Sequence, residues 1–435
     1  IQMFKNFLRD SVGFSLANIA IKALNIILIP IYVRYLSFED YGVFELITTL
    51  VIIFVVVISL ELTQSIIRFV PDSLNDKTLQ KKYINSGFQI ILFSSIAFIV
   101  LSHLFSNFIS ELIFKDTSYS YIVKLASFII AFQAINYAVA VIFRSQKKFF
   151  FAIRHSIIVA FMSGLLALTL LIYSGGSLRL LLIGQILGGF LSALFGIFTI
   201  RGSLSSSIDV VIGKKMLIFS LPLVLSSTAI HLSSFADRLI INDVLSLESL
   251  AVYGIAAKAA SVITILLSGI QGALSPHFIS TWNTAFGLKS LSRIFFIYLV
   301  ISIFLLMFLK IFDKYILIFL GTSKALGGTK VLLILASASI VNGLNIFLFG
   351  LIKSLKTSLL SVIYLSTAAL NIYLNYYLIN LYGIEGAAFA TLISASVGFL
   401  IHFYFSSKHL KLPFSFLIPF CFIIMILILN ILMVA

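Results

Sequence analysis

The sequence predicts an all-α polytopic membrane protein of about 12–14 transmembrane helices, arranged as two six-helix lobes around a central cavity. Three observations carry that expectation. Of the 435 residues, 61% are hydrophobic and only 10% are charged, too few to clothe a soluble protein of this size. Apolar runs of roughly 20 residues recur along the whole chain, the length that a hydrocarbon core about 30 Å thick demands of a helix. The third observation is an internal echo between the two halves. A transmembrane barrel would show short alternating segments instead.

In chain order, spans are expected at 11–34, 41–67, 84–105, 119–143, 151–173, 178–200, 215–241, 249–275, 291–312, 328–352, 358–380, 385–405 and 413–433. The first run ends in Arg34 without a small-residue cleavage site, so it reads as a retained span rather than a signal peptide. Loop charges agree with this order. Loops on the N-terminal side carry clusters such as Lys77, Lys81 and Lys82, or Arg144, Lys147, Lys148 and Arg154. The opposite loops hold only scattered cations, among them Arg34, Lys115, Arg179 and Lys324. That bias puts the N-terminus and the richer side in the cytoplasm. The formal net charge of +15 is therefore a topology signal, and a nucleic-acid partner is not expected.

The echo runs at an offset of 209 residues. Lys5, Ser11, Leu16, Ala20, Ile21 and Glu39 recur as Lys214, Ser220, Leu225, Ala229, Ile230 and Glu248. Tyr173 and Gly189-Phe190-Leu191 recur as Tyr382 and Gly398-Phe399-Leu400, and with three extra residues Tyr41-Gly42 matches Tyr253-Gly254. An even number of spans per repeat gives both halves the same orientation, hence parallel lobes about an axis near the membrane normal. The expected organisation is an N-terminal lobe at 1–205, a C-terminal lobe at 206–408 and an additional helix at 409–435.

Polar residues inside these spans are the candidate site. Ser11, Ser15, Asn18, Lys22 and Asn25 fall on one stripe of the first helix. Lys22 would lie roughly 16 Å deep, where a cation costs about 2.5–3.5 kcal/mol. It either snorkels to an interface or lines a wet cavity, and its depth favours the cavity. The seventh helix repeats the stripe with Ser227, His231, Ser234 and Arg238. His231 reads equally as a neutral core histidine or a titrating group. Asp237 and Arg238 read as an interfacial pair or as part of the site. Lys258 shares a face of the eighth helix with Gly254, Ser261 and Ser268. Glu45 lies near one end of the second span, and Glu61, Gln64 and Arg68 near the other, where a capping pair is the simpler reading. Asn342, Asn345, Asn371 and Asn375 read as interhelical hydrogen-bond glue. The lone Cys421 excludes a disulfide framework and a cysteine zinc site, and no catalytic motif or sizeable extramembrane loop points to an enzyme.

The stretch Tyr35-Leu36-Ser37-Phe38-Glu39-Asp40-Tyr41-Gly42-Val43-Phe44 resembles the first loop of bacterial polysaccharide-unit flippases. Asp237-Arg238-Leu239-Ile240-Ile241, then Ala251-Val252-Tyr253-Gly254-Ile255-Ala256-Ala257-Lys258 and Pro276, look like that family's entry into its second lobe. This is the O-antigen and capsule branch of the multidrug/oligosaccharidyl-lipid/polysaccharide exporter superfamily. The resemblance implies a substrate of oligosaccharide on undecaprenyl pyrophosphate, moved across the bacterial cytoplasmic membrane with a proton or sodium gradient as the only cofactor. It also implies contact with membrane lipids and with other polysaccharide assembly proteins. Related flippases bind the anionic head through basic residues on the first, second and eighth helices. Lys22 and Lys258 suit the first and eighth. The second helix here holds Glu45 and Glu61 instead, which leaves Arg238 or His231 for the third anchor, Asn18, Asn25, Ser227 and Ser234 for the polar lining, and Asp237, Glu45 and Glu61 for ion coupling. A multidrug or cation extruder of the same superfamily is the rival reading, and it would want an acidic cavity. A polysaccharide polymerase is the weaker one.

Overall fold

The computed structural model describes residues 20–21, 23–24, 26–73, 76–204, 209–281, 285–348, 357–409, 415 and 417–434. All regular structure among them is helical. Ten helices among the described residues are long and apolar enough to cross a membrane. Cα packing divides the chain into two units, residues 1–232 and 233–435. This boundary falls inside α9, whereas the expected limit at 205/206 follows the sequence repeat.

The first unit holds α1 (Ile26–Tyr35), α2 (Phe38–Ser59), α3 (Leu62–Asp72), α4 (Lys77–Leu104), α5 (Ser106–Phe114), α6 (Ser120–Ser145), α7 (Phe149–Tyr173) and α8 (Leu178–Ile200). The start of α9 (Val210–Val244) completes it. Helix starts follow the capping residues: Ser37, Asp76 and Ser177 each accept hydrogen bonds from backbone N–H groups of the turn they open. α6 is the hub. Its small residues, among them Ala131, Ala134 and Ala138, are buried. In lipid no hydrophobic force pulls helices together, so close packing and interhelical hydrogen bonds must do it. α7 and α8 meet through such packing: Gly184 and Gly188 lie so close to the backbone at Ala167 and Ser163 that a Cβ on either would sit 2.5 Å or less from it.

One departure from the expected spans has a local cause. The second span is broken, because Leu60 and Glu61 both take left-handed conformations, at φ 48° and 50°, between α2 and α3. The freed Ile58 carbonyl accepts the Ser94 hydroxyl of α4 at 2.6 Å. The turn between α7 and α8 runs through Gly175 and Gly176, at φ 68° and 116°.

α9 is tied to the first unit at its start. Asp209 caps it by accepting the Ile212 N–H at 3.1 Å, and its second carboxylate oxygen meets Lys82 Nζ at 3.1 Å. The Ile212 N–H and Lys82 hold the Asp209 carboxyl below the ordinary carboxylate range. A depressed carboxyl adds stability above its unfolded pKa and loses it as pH falls through the folded value. Amide exchange at the start of α9 should therefore accelerate in wild type below about pH 4. In Asp209→Asn it should be faster at pH 7 and show no such acid step.

The second unit holds the rest of α9, α10 (Leu247–Thr281), α11 (Ala285–Gly321), α12 (Thr329–Gly343), α13 (Thr357–His409) and α14 (Leu417–Val434). α13 is two membrane helices joined at Gly383, whose φ of 60° and ψ of −139° are not helical. The break falls between the spans expected at 358–380 and 385–405. α12 is buried along most of its length, and α14 docks on it through Asn430, which donates to Ser337 Oγ at 2.9 Å.

The repeat is visible in cap chemistry. Ser37 Oγ accepts the Asp40 N–H at 3.0 Å to start α2, and Ser246 Oγ accepts the Ser249 N–H at 3.1 Å to start α10. Tyr41 and Tyr253, the matched tyrosines, are both fully buried.

Candidate functional site

In the second unit Asp237 and Arg238 meet Tyr253 where α9 adjoins α10. Asp237 is buried and accepts the hydroxyl of the fully buried Tyr253. Its other carboxylate oxygen lies 3.3 Å from Arg238 Nη1 and also accepts the Arg238 backbone N–H at 2.9 Å. The Arg238 guanidinium lies over the Phe235 ring, 5.0 Å from its centroid, and 5.9 Å from that of Tyr253. Two charges so far from water persist because they face each other and a hydroxyl. Arg238 is thus an ion-paired cation, and the acid it faces is one of the three the sequence offered for coupling. Lys258 is half-buried further along α10, with the Ser261 hydroxyl donating to its backbone carbonyl at 2.7 Å. Ser234 is exposed.

In the first unit, Ser227 and His231 on α9 are half-buried. Glu45 is buried in α2, where the Thr48 and Thr49 hydroxyls donate to its backbone carbonyl. Glu61 is buried at the break between α2 and α3, with Thr63 Oγ1 3.5 Å from its carboxylate. Beyond it a cavity of about 370 Å³ is lined by Gln64, Arg68, Asp72 and Phe219 among others. Arg68 and Asp72 form an exposed pair at 2.9 Å, one turn apart. Asn18, Lys22 and Asn25 lie outside the described residues.

Buried polar contacts that sequence reasoning passed over lie deeper. Asn136 on α6 donates to the Gly189 carbonyl of α8 at 3.0 Å. Its repeat counterpart Asn345, 209 residues on, bonds the buried His402 on α13 at 2.8 Å, and it also donates to Asn342 O. The constant offset was the signal that could have singled out Asn136. Of the asparagines expected to join helices, Asn345 does so through His402, whereas the Asn375 amide donates to Asn371 Oδ1 at 3.0 Å within α13. Among the described residues no group of three or more His, Cys, Asp or Glu side chains is placed to hold a metal ion.

Chemically, the arrangement offers buried carboxylates in each unit, with the largely buried Arg238 beside one of them. The sequence profile of the family described as "Polysaccharide biosynthesis protein" matches residues 7–282. The fold is similar to that of the lipid II flippase MurJ in an inward closed conformation, with a TM-score of 0.70 and 19% identity over 96% of this chain and 98% of that one. It is also similar to an inward-facing multidrug resistance MATE family transporter of the MOP superfamily, with a TM-score of 0.68 and 13% identity over 92% and 97% of the two chains. An outward-facing MATE structure matches at a TM-score of 0.58 and 14% identity, over 92% and 96%. No curated protein matches the sequence. At these identities the structural likeness is one of fold, and the profile match, which spans more than half the chain, supplies the family: this chain belongs to the polysaccharide biosynthesis protein family, and it is built on the multi-pass helical fold that the MurJ and MATE structures share.

Proposed function

We propose that the protein is a flippase that carries oligosaccharide units linked to undecaprenyl pyrophosphate across the bacterial cytoplasmic membrane for surface polysaccharide assembly. The observation that carries this reading is the family match joined to a fold similar to a lipid II flippase along almost the whole chain. The physical problem fits. A sugar-pyrophosphate head cannot enter hydrocarbon without shedding hydration at a prohibitive cost. Fixed cations in a wet path give the diphosphate a place to rest, and alternating exposure moves it between leaflets. Lys22 and Lys258 are the proposed anchors, with His231 and the paired Arg238 beside them. Asn18, Asn25, Ser227 and Ser234 line the path. Asp237, Glu45 and Glu61 are the proposed coupling acids, for H+ or Na+. The N-terminus lies in the cytoplasm in this reading, membrane lipids surround the protein, other assembly proteins receive the product, and no bond is made or broken.

The likeness to MATE transporters keeps a multidrug or cation antiporter as the second reading. One assay separates the two. Proteoliposomes containing the wild type should translocate a fluorescent undecaprenyl-pyrophosphate oligosaccharide, and Lys258→Ala should slow this about tenfold or more without changing insertion. Absence of lipid transport, together with proton- or sodium-driven efflux of an organic cation, would transfer the protein to the antiporter class.

A further inference from the structure

No Asp or Glu occurs between Asp116 and Asp209, a stretch that contains α6, α7 and α8. Asp209 itself is engaged by Lys82. Basic residues nevertheless crowd the ends of these helices on the lysine-rich side: Arg144, Lys147, Lys148, Arg154 and Arg201. The fold brings them together. Gln146, in the turn between α6 and α7, donates to Ser203 Oγ just past α8 at 3.0 Å. Phe143 of α6 stacks on Phe151 of α7 with ring centroids 5.8 Å apart. Lys147 takes a left-handed conformation at φ 60°, and the Lys148 N–H donates to the Phe143 carbonyl at 2.8 Å, so the turn that presents both lysines is fixed.

Aromatic rings hold the arginines. The Arg154 guanidinium lies 5.5 Å from the Phe151 centroid and 5.6 Å from that of Phe195 on α8, and Arg201 lies 4.0 Å from that of Phe198. These rings are exposed, Phe198 at 61% and Phe150 beside them at 70%. Lys147, Lys148, Arg154 and Arg201 are exposed as well, and none forms an ion pair with a carboxylate among the described residues. A cation laid on an aromatic face at a helix end stays at the boundary between hydrocarbon and headgroups instead of extending into water. The repeat uses the same device in the second unit: Tyr404, the counterpart of Phe195, holds Lys408 Nζ 4.2 Å from its centroid.

We infer that this face of the first unit is a docking site for an anionic phospholipid of the adjoining leaflet. The lipid phosphate sits among Lys147, Lys148, Arg154 and Arg201, and its acyl chains lie along the exposed phenylalanines. Charge complementarity selects the occupant, because a zwitterionic headgroup brings a cation that α6, α7 and α8, which carry no carboxylate, cannot answer. The assignment does not depend on what the protein transports.

The test uses the purified full chain in detergent with an equimolar mixture of phosphatidylglycerol and phosphatidylcholine of matched acyl chains, and native mass spectrometry as the readout. Wild type should retain phosphatidylglycerol about tenfold over phosphatidylcholine. The fourfold variant K147Q/K148Q/R154Q/R201Q should bring the ratio near one with an unchanged elution profile, whereas K310Q/K314Q, at the opposite ends, should keep it. If the fourfold variant does not fold, the pairs K147Q/K148Q and R154Q/R201Q should each give a partial loss. No preference in wild type, or a preference untouched in these variants, overturns the assignment. Displacement of phosphatidylglycerol from wild type by equimolar undecaprenyl pyrophosphate, but not by undecaprenol, also overturns it, by making the face an entry site for the carrier lipid. No arm measures transport, so failure here leaves the proposed function standing.

Discussion

Valine at position 188 should leave little folded protein in the membrane. Its Cβ would lie 2.4 Å from Ser163 Cα and 2.5 Å from the Met162 carbonyl oxygen, both backbone atoms of α7 that no rotamer change can move aside. Overpacking a core costs about 1–3 kcal/mol where side chains can yield. Here two helices must separate, so the loss should be about 3 kcal/mol or more, and contacts along the whole α7–α8 seam would weaken with it. Thermal melting in detergent, read as loss of the monodisperse elution peak, should drop by about 10 °C for Gly188→Val. Gly202→Ala is the matched control, because a Cβ there meets nothing within 4 Å and melting should be unchanged. Equal melting of Gly188→Val and wild type would mean that α7 and α8 are not packed backbone to backbone.

The second large effect concerns the Asp237–Arg238 pair. Removing the carboxylate alone, in Asp237→Ala, takes away the carboxylate 3.3 Å from an Arg238 side chain that is only 13% exposed. Breaking a buried pair from one side costs about 3–5 kcal/mol, whereas replacing both partners with apolar residues of similar volume is often neutral. Asp237→Ala should therefore melt far below wild type, and Asp237→Leu/Arg238→Met should recover most of the difference. Under the proposed function, the recovered double variant should fold and insert yet transport lipid-linked oligosaccharide poorly, which separates the pair's structural role from its coupling role. A single variant as stable as wild type would remove the argument that the pair is buried and mutually dependent.

Much of the fold is legible in the sequence because hydrocarbon imposes a simple demand, a long apolar run for each crossing. The break at Gly383 is readable for the same reason, since glycine interrupts one such run. The break at Leu60 and Glu61 is not, because these residues pay a steric penalty for the left-handed conformation and nothing in their local sequence announces it. The α7–α8 seam was equally silent. Glycines are common throughout this chain, and only tertiary contact tells Gly188 from Gly202. At the site, the adjacency of Asp237 and Arg238 suggested a pair, but the hydroxyl that completes it comes from Tyr253, 16 residues later on another helix. Whether a membrane cation is paired or solvated is a three-dimensional property, so charge type and depth alone left Lys22 and His231 with open readings.

The interruption between α2 and α3 has a geometric consequence. The 22 residues of α2 rise about 33 Å, enough to cross the hydrocarbon by themselves. The 11 residues of α3 add a helix about 16 Å long beyond that crossing. There Ser65 of α3 donates to the Met216 carbonyl of α9, and Lys215 caps the stacked rings of Phe69 and Tyr83. The first unit thus holds more helix at this point than one crossing requires, and the surplus is joined to the start of α9 by contacts drawn from the long helices themselves.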